Sequence, residues 1–274
     1  MIASMNGGTS LVRRLTDLTA KIVGAGVGAI AATAIPETGA MVTILVGAGA
    51  AGAVELLANV GTDLAERKLS ERERRRTNMG IQEALREWTL LSVEPDPRFA
   101  LRPELADPAS GNTDAMRAII ECALIAVQGA YEERRARHLA RFFARWAFMP
   151  HVDAAQAHHL LKTAESLTFR QMCLLYLFDE HAATRFSNVW PRKLKEFEPD
   201  PALASLLAEG LVLDSQGLVY RNDHTVLLGP EDLIPGRMRR TPLGEHAAQL
   251  LALDRLERND LAPVLATLDT FPRS

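Results

Sequence analysis

The sequence predicts a mainly α-helical protein with a short β-hairpin near its C-terminus. Three observations carry that expectation. Aromatic residues are sparse at 5% while alanine and leucine abound, a composition suited to helices with small contact surfaces. Most of the apolar text repeats at three- to four-residue spacing. The exception is LVLDSQGLVYR and the stretch near Gly236–Thr241, which look extended. With 274 residues, 47% hydrophobic and 24% charged, the chain has the composition of a folding protein. A net charge of −3 gives no global electrostatic case for nucleic acid or anionic lipid.

Three regions are expected: an apolar helical hairpin over 1–60, a helical region over 61–150 and a final domain over 151–274. In the first, Glu37 is the one charge between Lys21 and Glu55. Two apolar runs, 22–36 and 38–54, meet at Pro36-Glu37. Residues 61–91 mix charges among strong helix formers and read as one solvated helix, with Glu66, Glu73 and Glu83 supported by arginines three or four residues away. Residues 92–112 hold several prolines without periodicity and read as a surface connection.

Asn112 or Thr113 then caps a helix that Gly129 loosens before it continues toward Pro150. Its second part sets Leu139, Phe142, Phe143 and Trp146 on an apolar face. Arg134, Arg135, Arg137, Arg141 and Arg145 lie around the rest, expected as a solvated basic face, with phosphate headgroups or a partner as the other reading. Further on, Asp153 or a neighbour starts one helix, Thr168 caps the next, and Asp200-Pro201 opens a short one expected to stop at Gly210. A hairpin turning at Asp214–Gly217 follows, and Pro242 opens a closing helix.

The glycines of the first region admit two chemistries. Gly24, Gly26 and Ala29 fit G-x-G-x-x-A, and Gly47, Gly49 and Gly52 fit G-x-G-x-x-G, the turn that holds a dinucleotide pyrophosphate. The two matches stand too close together for the first to own a whole βαβ unit. After the second, AERKLSERERRRTNM supplies no apolar strand to carry the ribose-binding acid. A dinucleotide oxidoreductase is therefore the remote alternative, and no cofactor is expected.

As helices, the same residues place Gly24 with Gly28, Gly47 with Ala51, Ala48 with Gly52 and Gly49 with Ala53 at four-residue spacing. Such spacing lets two backbones approach closely. The two runs reach roughly 22–26 Å at 1.5 Å per residue, short of a ~30 Å hydrocarbon core unless flanking residues extend them. The alternatives are a hairpin buried in water and one that inserts, in an oligomer of like chains; membrane association is favoured, with Glu37 at the tip as a functional suspect.

Catalytic and metal-binding residues are not expected. His158 and His159 face different sides of a helix, and no cysteine or carboxylate completes a site with His151. Cys122 and Cys173 sit in helical text and read as buried free thiols of a reducing compartment. The start of the chain reads as retained, which places the protein in the cytoplasm or on the inner face of a membrane.

The phrases LTFRQMCLLYLF, LASLLAEGLVL and RRTPLGEHAAQLL resemble winged-helix modules over about 166–256. Arg192, Lys193, Lys195, Arg237, Arg239 and Arg240 are then the candidate partner or phosphate contacts. The helix in the recognition position, DPALASLLAE, carries acids and no base, so a protein contact is favoured over a soluble DNA-binding regulator. The order of segments over roughly 60–255 is similar to that of bacterial abortive-infection alpha-type proteins and their uncharacterised relatives. That resemblance implies a non-enzymatic role in phage defence, exerted at the host membrane.

Overall fold

The computed structural model of the protein describes most of residues 56–93, then 100–103, 113–179, 200–222, 226–227 and 233–269. The glycine-rich stretch with Gly24, Gly28, Glu37, Gly47, Gly49 and Gly52 lies outside the described residues, as do Arg192, Lys193 and Lys195. The described chain is mainly helical, with one short antiparallel two-stranded hairpin near its C-terminus, and it divides into two compact units between Leu161 and Lys162.

Among the described residues of the first unit are three long helices: α1 (Glu71–Val93), α2 (Thr113–Gly129) and α3 (Glu133–Trp146). Helix α1 starts where Ser70 and Glu73 form a reciprocal cap, with the Ser70 N–H donating to Glu73 Oε2 at 2.7 Å and the Glu73 N–H donating to Ser70 Oγ at 3.3 Å. The expected single solvated helix over 61–91 is thus divided at Ser70. Nor is α1 solvated all round, because Thr77, Ile81, Ala84, Trp88 and Leu91 recur at helical spacing and are buried.

Glu73 spends its carboxylate on the cap and Glu83 on an arginine of α3, so neither forms the ion pair within its own helix that the local spacing suggested. Glu71 and Arg75 do form an i,i+4 pair, at 3.8 Å. Gly80 stands where α1 meets α2: a Cβ there would lie 3.0 Å from Val127 Cγ1.

Helix α2 ends at Gly129 and α3 begins four residues later as a separate element, so the expected continuous helix is two helices packed against each other. Gln128 donates to Thr77 Oγ1 at 2.8 Å, which sets the end of α2 beside the start of α1 and runs the two in opposite directions. Around Trp88, with no exposed surface, the rings of Phe143 and Phe148 stand edge-on at 5.4 and 5.9 Å. Helix α4 (Ala154–Ser166) follows, opened by Asp153, whose Oδ1 accepts the Gln156 N–H at 2.7 Å.

In the second unit α5 (Phe169–Leu177) packs on α6 (Pro201–Ser215), α7 (Pro242–Leu250) and α8 (Arg258–Asp269). Its cap is the expected Thr168, in a full capping box with Gln171. Asp200 caps α6 and Thr241 caps α7, each followed by proline in the first turn. The strands β1 (Val219–Arg221) and β2 (Met238–Arg240) pair antiparallel, Val219 opposite Arg240 and Arg221 opposite Met238.

Two expectations fail here for one reason. Helix α6 does not stop at Gly210 but runs through it to Ser215. Gly210 is a packing residue, since a Cβ on it would meet Leu233 Cδ1 at 2.4 Å. The stop is Gly217, at φ +68°, where the Leu218 N–H donates to the Leu213 carbonyl at 3.0 Å and the Gly217 N–H to the Asp214 carbonyl at 2.8 Å. This is the left-handed glycine termination of a helix, so Asp214–Gly217 is a helix end and not the turn of a hairpin.

Candidate functional site

In the first unit α3 lays its arginines along the carboxylates of α1. Arg141 Nε donates to Glu83 Oε1 at 2.8 Å, and one turn on Arg145 Nε donates to Glu87 Oε1 at 2.7 Å. Rising numbers pair with rising numbers, so α1 and α3 run in the same direction. The inner pair is buried, its side chains 3% and 2% exposed, while the outer pair is 16% and 11% exposed. The basic face of α3 is therefore not wholly solvated: Arg141 and Arg145 are consumed between helices, and Arg134 and Arg137 remain at the surface. A guanidinium this deeply buried is costly unless paired, and here a carboxylate neutralises it.

Arg102, in the proline-rich stretch expected to be a surface connection, is also buried. It donates to the carbonyl oxygens of Trp146 at 3.0 Å and Met149 at 2.8 Å, and to that of Val152. Its guanidinium lies 4.1 Å from the centroid of the Trp146 ring. Trp146 is the last residue of α3, and Met149 and Val152 lie in the turns after it, so the guanidinium adds to carbonyls that backbone and indole N–H groups already reach. A cation at a helix C-terminus is also favoured by the helix dipole. Arg102 thus clamps the end of α3 to the turns that follow it. No spacing rule marks it in the sequence, because its partners lie more than forty residues away.

In the second unit three of the basic candidates meet at the hairpin, where they differ in availability. Arg237, in a 3₁₀ turn over Pro235–Arg237, is exposed. Arg239 turns back on its own backbone, donating to the carbonyls of Met238 at 2.7 Å and Gly236 at 3.1 Å. Arg240 bridges Asp179 Oδ2 at 2.8 Å and Glu245 Oε2 at 2.9 Å, its side chain 10% exposed. Arg240 therefore ties the hairpin to the segments on either side of it.

Helix α6 presents Ala202, Ser205, Ala208, Val212 and Ser215 outward and contains no basic residue. Its Glu209 accepts from Arg170 Nε at 2.9 Å, and Ser205 accepts from the same guanidinium. Arg170 is held all the more firmly charged by that carboxylate, which raises its pKa. A helix with this outer face offers a nucleic-acid groove neither hydrogen-bond forks nor positive charge.

Cys173 is buried and its thiol donates to the Asp260 carbonyl at 3.7 Å, while Cys122 is partly exposed; both are free thiols. His151, His158 and His159 are exposed. Among the described residues no three His, Cys, Asp or Glu side chains gather as a metal site. No helix among the described residues is long and apolar enough to cross a membrane. No protein-family model, curated protein or solved structure matches the chain.

Proposed function

We propose that the protein is a non-catalytic bacterial effector that associates with a membrane through its glycine-rich N-terminal hairpin and contacts a protein partner through a winged-helix-like C-terminal module. The observation that carries this reading is the run from Ile22 to Val54, in which Glu37 is the single charge and small residues repeat every fourth position. Such helices pack closely on copies of themselves, and an oligomer of hairpins makes a leaky assembly with Glu37 along its polar path. Support for the module comes from the order α5, α6, two paired strands, α7, together with an α6 surface without bases, which favours protein over DNA. The similarity of segment order to abortive-infection alpha-type proteins supports a role in phage defence.

Carbonate-washed membrane fractionation tests the anchored form. Recovery of all the protein in the soluble fraction would sink it. Dye release from liposomes, compared with Gly28→Leu and Gly49→Leu, tests the packing mechanism. Release should fall in both variants, and equal release from all three proteins removes the mechanism.

A further inference from the structure

One corner of the N-terminal unit collects arginines from two helices around an exposed tyrosine. Arg72 and Arg76 stand one turn apart on α1 and so share a side of it. On that side lies the turn between α2 and α3, where Arg76 Nη2 donates to the Tyr131 carbonyl at 2.7 Å. The Arg72 guanidinium sits 5.9 Å from the centroid of the Tyr131 ring. Arg135, in the first turn of α3, belongs to the same corner: the pKa of Arg76 is lowered first by burial, then by repulsion from Arg72 and Arg135, against the opposing pull of Glu133.

The surroundings are basic in a chain whose net charge is −3. Arg72, Arg74, Arg75 and Arg76 outnumber Glu71 and Glu73, and Arg134, Arg135 and Arg137 outnumber Glu132 and Glu133. Several of those acids are engaged, Glu73 by Ser70, Glu71 by Arg75 and Glu133 by Arg137. Tyr131 itself is 82% exposed, a large ring left in water with a guanidinium over its face.

We propose that this corner is a docking surface for the headgroups of anionic phospholipids. Guanidinium groups match phosphate oxygens, and an exposed tyrosine has the apolar body and polar tip of a residue that settles at a membrane–water interface. The position in sequence favours lipid over nucleic acid. The arginines begin fewer than twenty residues after the charge-poor run that ends at Val54, and basic segments beside a membrane-embedded element are drawn to anionic leaflets. The proposal rests on the membrane reading above and names its lipid class.

The test is sedimentation of the full chain with vesicles of pure phosphatidylcholine and with vesicles of equal parts phosphatidylcholine and phosphatidylglycerol. Wild type should bind the anionic vesicles more tightly. Arg72→Gln and Arg135→Gln should each weaken that binding roughly fivefold, about the loss of one basic contact. Arg258→Gln, an exposed arginine of the second unit, should leave it unchanged. Tyr131→Ser should weaken binding to both kinds of vesicle.

Equal binding to neutral and anionic vesicles, unaltered in the arginine variants, overturns the docking surface while leaving the hairpin reading intact. Binding to neither overturns both. Retardation of duplex DNA or RNA that the two substitutions abolish, with vesicle binding unchanged, assigns the corner to nucleic acid and also overturns the proposal. Circular dichroism of each variant checks that the fold is in place, Arg135 being half-buried where Arg72 and Tyr131 are exposed.

Discussion

Truncating Glu87 to alanine is expected to destabilise the first unit more than any other single removal of a charge described here. Its carboxylate and the Arg145 guanidinium meet at 2.7 Å with side chains 2% and 3% exposed. Water therefore cannot replace the lost partner, and the arginine is left charged in a packed interior. Removing one member of such a pair costs about 3–5 kcal/mol, much of it the penalty of the stranded charge and not the worth of the bond. Replacing both members with methionine removes that charge and fills the space with apolar atoms, so Glu87→Met/Arg145→Met should fall within about 1 kcal/mol of wild type.

Urea unfolding followed by tryptophan fluorescence reads this directly, because Trp88 and Trp146 are buried in the same unit. The outer pair is an internal comparison, since Glu83 and Arg141 are 11% and 16% exposed and partial hydration should make Glu83→Ala the milder change. A loss below about 1 kcal/mol for Glu87→Ala, or a double variant as unstable as the single one, refutes the reasoning.

Three further outcomes are expected. Gly244→Ala should destabilise the second unit by about 1–3 kcal/mol in thermal or urea unfolding, because the added Cβ would lie 1.8 Å from the Leu218 carbonyl oxygen. Helix propensity alone predicts the opposite sign, a gain of about 1 kcal/mol, so the sign decides.

Arg102→Met should cost about 2 kcal/mol by removing the charge-assisted hydrogen bonds to the buried Trp146 and Met149 carbonyls, and Arg102→Lys should recover only part of it, which denaturation midpoints will show.

Burial raises the Asp214 pKa, so the charged form is disfavoured in the folded state. Its contribution is favourable below the unfolded value and is lost as pH rises through the folded one. Asp214→Asn should therefore be more stable near neutral pH by about 0.3–1 kcal/mol, the carboxylate also facing the negative end of α6. The difference should vanish below about pH 4 in melts across pH.

Helix content and helix starts were legible in the sequence because they depend on neighbours. Thr168, Asp200-Pro201 and Thr241-Pro242 announce α5, α6 and α7 through side chains that reach backbone groups two or three residues away. Apolar spacing likewise found the buried face of α3, where Leu139, Phe142, Phe143 and Trp146 are all in the core.

The tertiary structure decided what each charge and each glycine is for. Arg141 and Arg145 looked like a solvated face until α1 supplied Glu83 and Glu87, fifty-eight residues distant. Gly210 looked like a helix stop, whereas it makes room for Leu233 and Gly217 ends the helix. Arg72, Arg76, Tyr131 and Arg135 form a corner only because α1 lies along α2, which brings the start of one helix to the end of the other. The physical reason is range. A cap or an amphipathic stripe is settled within a few residues, while the partner of a buried charge and the neighbour of a missing side chain are settled by how helices pack.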